Sequence, residues 1–237
     1  MAQEGVMELM QKPEIKKAMQ TMMLNYFQQQ KENTLKRYKM LNRHVKKGQV
    51  LFVGSSLMEL FPINEMQHTL NIDNIIYNRG ISAITTDDLL KAMNECIFDL
   101  EPSKIFINIG SNDIGRPEGY KKENLIANYN KIMEEIKENL PGCEVCVMAY
   151  YPINAKADFG LDKSMKDMMF ATRTNLNILE ANVAVEELAK KHGFKFITVN
   201  QGLTDDEGNL KTEFSMEGLH LWPNAYSIIL ENMKEYL

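Results

Sequence analysis

The sequence predicts an α/β protein whose parallel sheet is covered by helices on both faces. Three observations carry this. Beyond residue 48, short apolar runs rich in β-branched residues recur along the chain. Longer amphipathic segments separate them, which is the pattern of repeated βαβ units. With 237 residues, 44% hydrophobic and 25% charged, the chain can bury one substantial core, so a single main domain is expected.

Taken in order, the first element is helical. From Pro13 to Lys47, Ile15, Met19, Met22 and Tyr26, then Leu35, Tyr38, Leu41 and Val45, recur every three or four residues. That spacing predicts one long or two consecutive helices, an N-terminal extension over residues 1–48 ahead of a main domain over residues 49–237. Lys31, Lys36, Arg37, Lys39, Arg43, Lys46 and Lys47 interleave with the apolar positions, as on the solvated face of an amphipathic helix. Strands are predicted at 49–54, 74–78, 105–109, 144–150 and 194–199. Helices are predicted near 57–66, 85–98, 121–139 and 173–192, and a last one begins at Pro223, a residue suited to the first helical turn. Residues 151–172 form a long connection carrying Met165, Met168, Met169 and Phe170. Its length and adaptable apolar side chains suit a lid or pocket wall, and equally a short helix packed on the body.

Composition also excludes. A net charge of -5 offers no electrostatic footprint for nucleic acid. The N-terminal stretch MAQEGVMELMQKPEIKK lacks a basic region followed by an apolar one, and no later run approaches a membrane span, so a cytoplasmic protein without membrane association is expected. Cys96, Cys143 and Cys146 do not make a disulfide framework. Cys143 and Cys146 form C-x-x-C where a strand opens, so their side chains are expected on opposite faces as buried thiols.

In a parallel sheet, ligands bind outside the carboxyl ends of the strands. The residues read there are Gly54-Ser55-Ser56, Arg79-Gly80, Gly110-Ser111-Asn112-Asp113 and Tyr151-Pro152. The G-x-S-x-G elbow is absent, since Met58 stands where its last glycine would be. A serine nucleophile needs a base, a group that orients the base, and donors for the developing oxyanion. Among the four histidines, His220 alone lies just before a helix with a carboxylate, Glu217, three residues ahead.

Four stretches, LFVGSSLME, YNRGIS, INIGSNDIG and EGLHLWPNAY, resemble the SGNH (GDSL-type) hydrolase family block by block and in order. The resemblance spans residues 49–237. It implies a three-layer α/β/α sandwich around about five parallel strands in flavodoxin-like order. It implies Ser56 as nucleophile and His220 as general base. The oxyanion would be held by the N–H groups of Ser56 and Gly80 and by the Asn112 amide. Two positions depart from the family form. Ser55 replaces an aspartate and is expected to hydrogen-bond nearby backbone instead. Glu217 replaces the triad aspartate, with Glu213, Asp205, Asp206 or a Ser-His dyad as alternatives. Asp113, Tyr151 and Trp222 are expected along the cleft as substrate-binding residues.

The implied reaction is hydrolysis of a small acyl ester through an acyl-enzyme, with no metal or cofactor. The expected partner is therefore a small-molecule ester, and the N-terminal helices either pack on the body or form a homo-oligomer. Two other readings stand beside it. One is a family member that keeps a binding cleft without catalysis. The other is a flavodoxin-like phosphate or nucleotide binder, although G-x-x-x-x-G-K-[ST] and G-x-G-x-x-G are both missing.

Overall fold

The computed structural model of the chain describes residues 12–70, 72–116 and 118–237, and the sequence reading of the first eleven residues lies outside them. The N-terminal pattern forms one long helix, α1 (Pro13–Leu41), entered through a proline in its first turn. Its two halves differ. Met22, Leu24 and Tyr26 are exposed, whereas Tyr38 is buried and donates its hydroxyl to the Gly80 carbonyl at 2.5 Å. Lys31 marks the change, pairing with Asp88 at 2.9 Å.

Five strands follow, β1 (Val50–Gly54), β2 (Ile76–Gly80), β3 (Lys104–Asn108), β4 (Glu144–Met148) and β5 (Lys195–Ile197). They pair in parallel in the order β2-β1-β3-β4-β5. This is the flavodoxin-like order, with its switch point at β1 and β3. Every residue of β1 is buried. Successive side chains of a strand point to opposite faces, so both faces of the sheet must be covered.

The covering helices are α2 (Ser56–Glu59), α3 (Ile63–Met66), α4 (Thr86–Lys91), α5 (Met93–Cys96), α6 (Ser111–Ile114), α7 (Lys122–Asn139), α8 (Lys163–Phe170), α9 (Asn175–His192) and α10 (Pro223–Met233). α4, α7 and α9 pack side by side. An aromatic chain ties α10 to the sheet: the Tyr226 ring lies 4.6 Å from Phe61, Phe61 lies 5.4 Å from Phe52, and Phe52 lies 5.2 Å from Phe106. Burying each such ring is worth about 1.5–3 kcal/mol.

Local chemistry explains where the elements differ from expectation. The helix predicted over 57–66 breaks into α2 and α3, because Pro62 has no N–H to continue the ladder. The connection over 151–172 contains α8, started by the Asp162 carboxylate accepting the Met165 N–H at 2.9 Å. Phe170 at its end is buried, while Met165 and Met168 are exposed. Burial pushes the Cys146 thiol up to about 11, as for an inert core residue. Cys143 precedes β4 and is only half-buried. Among the described residues, no helix is long and apolar enough to cross a membrane, and no cluster of three or more His, Cys, Asp or Glu could hold a metal ion.

β2 carries the most informative difference. It ends at Gly80, two residues later than predicted. Asn78 reads as the last strand residue, and Arg79 and Gly80 as the residues following it. The side chains of Asn78 and Arg79 are both satisfied inside the fold. Asn78 donates to the carbonyls of Met58 at 2.6 Å and Phe61 at 3.3 Å. Arg79 stacks on the Tyr38 ring at 4.8 Å and donates to Asn42 Oδ1 through Nε and Nη2 at 3.0 and 2.9 Å. The polar end of the strand is thus sheltered by α1.

Candidate active site

The site is assembled at the carboxyl ends of β1, β2 and β3 and the loop before α10. Ser55 ends the first turn in extended backbone, and its carbonyl accepts the N–H groups of Met58 and Glu59, both at 2.9 Å. That makes Ser56 the first residue of α2, with its own N–H left over as at any helix start. Its hydroxyl lies 2.9 Å from His220 Nε2. The Ser55 hydroxyl is buried and has no hydrogen-bond partner among the described residues, contrary to the backbone bond expected of it. What Ser55 contributes is backbone.

His220 is held from behind. Its Nδ1 is hydrogen-bonded to Glu217 Oε1, and the same carboxylate oxygen accepts the His220 backbone N–H at 3.2 Å. The loop is tight enough for the longer side chain to fold back over its own turn. Met216 donates to the His220 carbonyl at 2.8 Å, Ser215 and Leu221 form a bridge, and the Gly218 N–H donates to Ser215 Oγ at 2.7 Å. Of the alternative carboxylates, Asp205 accepts the N–H groups of Glu207 and Asn209 in its own turn. The structure therefore brings Ser56, His220 and Glu217 into one hydrogen-bonded line.

The oxyanion side is built differently from expectation. The Gly80 N–H already donates to Asn78 Oδ1 at 2.8 Å, and its carbonyl accepts Tyr38. A backbone donor so engaged is not available to a substrate oxygen. The glycine serves packing: a Cβ there would stand 2.1 Å from the Glu59 nitrogen, so no side chain fits between β2 and α2. The turn proper follows at residues 81–84. Ser82 is tied to α2 through Glu59 Oε2, which accepts its N–H at 2.7 Å and its hydroxyl at 2.5 Å. The Ile84 carbonyl accepts from Asn112 Nδ2 at 2.9 Å. Between these two anchors sits Ala83, at φ +58°, uncommon for a residue with a Cβ. Its N–H has no hydrogen-bond partner among the described residues. Sequence reading missed Ala83. The signal was the capping box of Thr85 and Asp88, which starts α4 and leaves 81–84 as the turn.

Asn112 lies in α6, directly after β3. One Nδ2 hydrogen is taken by Ile84, which leaves the other. Asp113, expected to touch substrate, is instead buried. Its carboxylate accepts the Thr86 N–H at 3.0 Å and hydroxyl at 2.6 Å, and so clamps the start of α4. Burial pushes that carboxyl up, with the Thr86 bonds and Arg116 opposing. Tyr151 is also buried, against expectation, because it packs into the hydrophobic core. Trp222, two residues after His220, is exposed at the start of α10.

Comparison with known proteins agrees with this architecture. A solved Streptococcus pneumonia protein, provisionally described as a platelet activating factor, is 29% identical, with a TM-score of 0.81 over 92% of this chain and 98% of its own. An acetylxylan esterase from Geobacillus stearothermophilus, 14% identical, shares the fold at a TM-score of 0.61 over 81% of this chain and 94% of its own. The N-acylneuraminate cytidylyltransferase of Escherichia coli is 21% identical over 187 residues, 78% of this chain, which spans only 39% of that longer protein. The profile of the GDSL-like lipase/acylhydrolase family matches residues 63–228, a stretch that begins after the Ser56 turn and includes Asn112, Glu217 and His220. That match covers more than half of the chain, which therefore belongs to the GDSL-like lipase/acylhydrolase family.

Proposed function

We propose that the protein hydrolyses a small acyl ester through an acyl-enzyme on Ser56. The observation that carries this reading is the continuous line from the Ser56 hydroxyl, 2.9 Å from His220 Nε2, through the ring to Glu217. His220 takes the proton as Ser56 attacks the carbonyl and returns it to the departing alcohol. Glu217 fixes the tautomer that leaves Nε2 free to accept, and stabilises the imidazolium that forms. A water activated by the same histidine then releases the acid.

The oxyanion would be held by the N–H of Ser56 at the start of α2, by the free N–H of Asn112 Nδ2, and by the N–H of Ala83 in place of Gly80. Helix starts and fixed backbone donors favour negative charge without reorganisation during the reaction. A short acyl group is the preferred substrate class, supported by the fold shared with an acetylxylan esterase. Trp222, exposed beside the base, would border the alcohol half.

The test is fluorophosphonate labelling followed by peptide mapping, paired with hydrolysis of p-nitrophenyl esters of increasing chain length. A single adduct on Ser56 and fastest turnover of the acetate are expected. Absence of an adduct on Ser56 would leave a binding protein on this fold. Preference for long acyl chains would keep the mechanism and overturn the substrate class.

A further inference from the structure

Arg173, just ahead of α9, is buried, yet has no carboxylate within salt-bridge reach among the described residues. Its guanidinium donates to neutral oxygens. Nε and Nη2 reach the Ser111 carbonyl, both at 3.2 Å, Nη1 reaches the Met169 carbonyl at 2.9 Å, and Nη2 reaches Asn112 Oδ1 at 3.3 Å. Gly115 makes room for it. A Cβ at 115 would stand 2.2 Å from Nη2 and 2.4 Å from Cζ. The backbone there has φ -93°, which any residue adopts, so the guanidinium alone requires the glycine. Burial pulls the guanidinium down to about 10, and the Glu217 carboxylate opposes that pull.

A cation buried among carbonyls costs more than an apolar side chain of the same size, so packing does not account for it. The Asn112 amide does. A guanidinium only donates and a carbonyl only accepts. Arg173 therefore demands the amide oxygen, and the Ile84 carbonyl demands the amide nitrogen. Flipping the amide would set N–H against N–H at one end and oxygen against oxygen at the other. Both neighbours select a single orientation.

We propose that Arg173 is a positioning residue for the oxyanion site: it holds Asn112 Oδ1 so that the remaining amide N–H stays turned to the oxygen that becomes negative. Its buried charge also favours that oxygen's negative form. This inference rests on the oxyanion role proposed for Asn112, and it makes Arg173 act through another residue rather than on the substrate.

The experiment measures kcat and KM for p-nitrophenyl acetate on the full chain, with thermal denaturation alongside. Since removing a whole oxyanion donor costs about 10²–10³-fold in kcat, Arg173→Gln should cost about 10- to 100-fold with KM little changed. Arg173→Lys should recover part of the loss. Combined with Asn112→Ala, Arg173→Gln should add almost nothing, because the amide it positions is gone. Gly115→Ala keeps the charge but displaces the guanidinium, so it should lower kcat alone and have no effect in the Arg173→Gln background. If Arg173→Gln does not fold, Gly115→Ala carries the test, and wild-type kcat in that variant overturns the proposal. So does a loss in Arg173→Gln that multiplies in full with Asn112→Ala, or one that follows KM and melting temperature rather than kcat. Wild-type kcat in Asn112→Ala would overturn the oxyanion reading, and this inference with it. An impaired Asn112→Ala beside an unimpaired Arg173→Gln overturns this inference alone.

Discussion

The two sides of the site are built by different means. On the nucleophile side, Ser56, His220 and Glu217 hold one another directly, side chain to side chain, over a loop closed by its own hydrogen bonds. On the proposed oxyanion side, the groups are held from outside: Glu59 holds Ser82, Ile84 and Arg173 hold Asn112, and the backbone of Ala83 is bent to φ +58°. Side chains that bond to each other leave a trace in residue type and spacing. Backbone donors held by distant neighbours do not.

Substitutions can break this contrast, most severely on the nucleophile side. Ser56→Ala should abolish p-nitrophenyl acetate hydrolysis to background, while Ser55→Ala, whose hydroxyl bonds to nothing described, should stay active; the reverse pattern would assign the nucleophile to the wrong serine. Glu217→Gln should lower kcat by up to about 10⁴-fold, as loss of the tautomer-fixing carboxylate does in serine proteases. Activity near wild type would reduce the line to a Ser-His dyad. On the other side, Asn112→Ala should cost about 10²–10³-fold in kcat, since the remaining backbone donors persist.

The smallest effects sharpen the contrast further, because they separate packing from chemistry. Gly80→Ala should destabilise by about 1–3 kcal/mol in urea denaturation, the usual cost of forcing atoms into a filled space. Ala83→Gly should change stability by about 1 kcal/mol or less and keep kcat, since glycine accepts the left-handed backbone and retains the N–H. If Gly80→Ala lost kcat beyond what its loss of stability explains, while Ala83→Gly kept it, the assignment of the backbone donor would return to Gly80.

The same contrast explains what the sequence disclosed. The parallel sheet, its strand order and the family were legible because apolar runs and four motif blocks recur in order. Glu217 was legible despite its extra methylene, because the residue three before His220 sits on the same tight loop. Gly80 misled for a physical reason. Asn78 and Arg79 are polar, so the strand seemed to end at Asn78. Their partners are Met58, Phe61, Asn42 and the Tyr38 ring, and two of those lie in or just after α1, which the sequence set apart as an extension. Asp113 and Tyr151 misled in the same way: position after a strand marked them as cleft residues, while Thr86 and the core claimed them. Arg173 carried no motif at all. Its importance comes from Gly115 and Asn112, about sixty residues earlier in the chain.

One consequence follows from the distance along the chain between Ser56 and His220, which are 164 residues apart. The Tyr226 hydroxyl reaches the Leu57 carbonyl at 2.8 Å, so α10 closes over the very helix that begins with Ser56. During synthesis Ser56 emerges just after β1, whereas His220 emerges only after all five strands. Contacts so remote must wait for the intervening strands to pair. A growing chain carries the proposed nucleophile for at least 164 residues before its base is made. Under the proposed mechanism, ester cleavage would thus report, in time, that the chain between these two residues has folded.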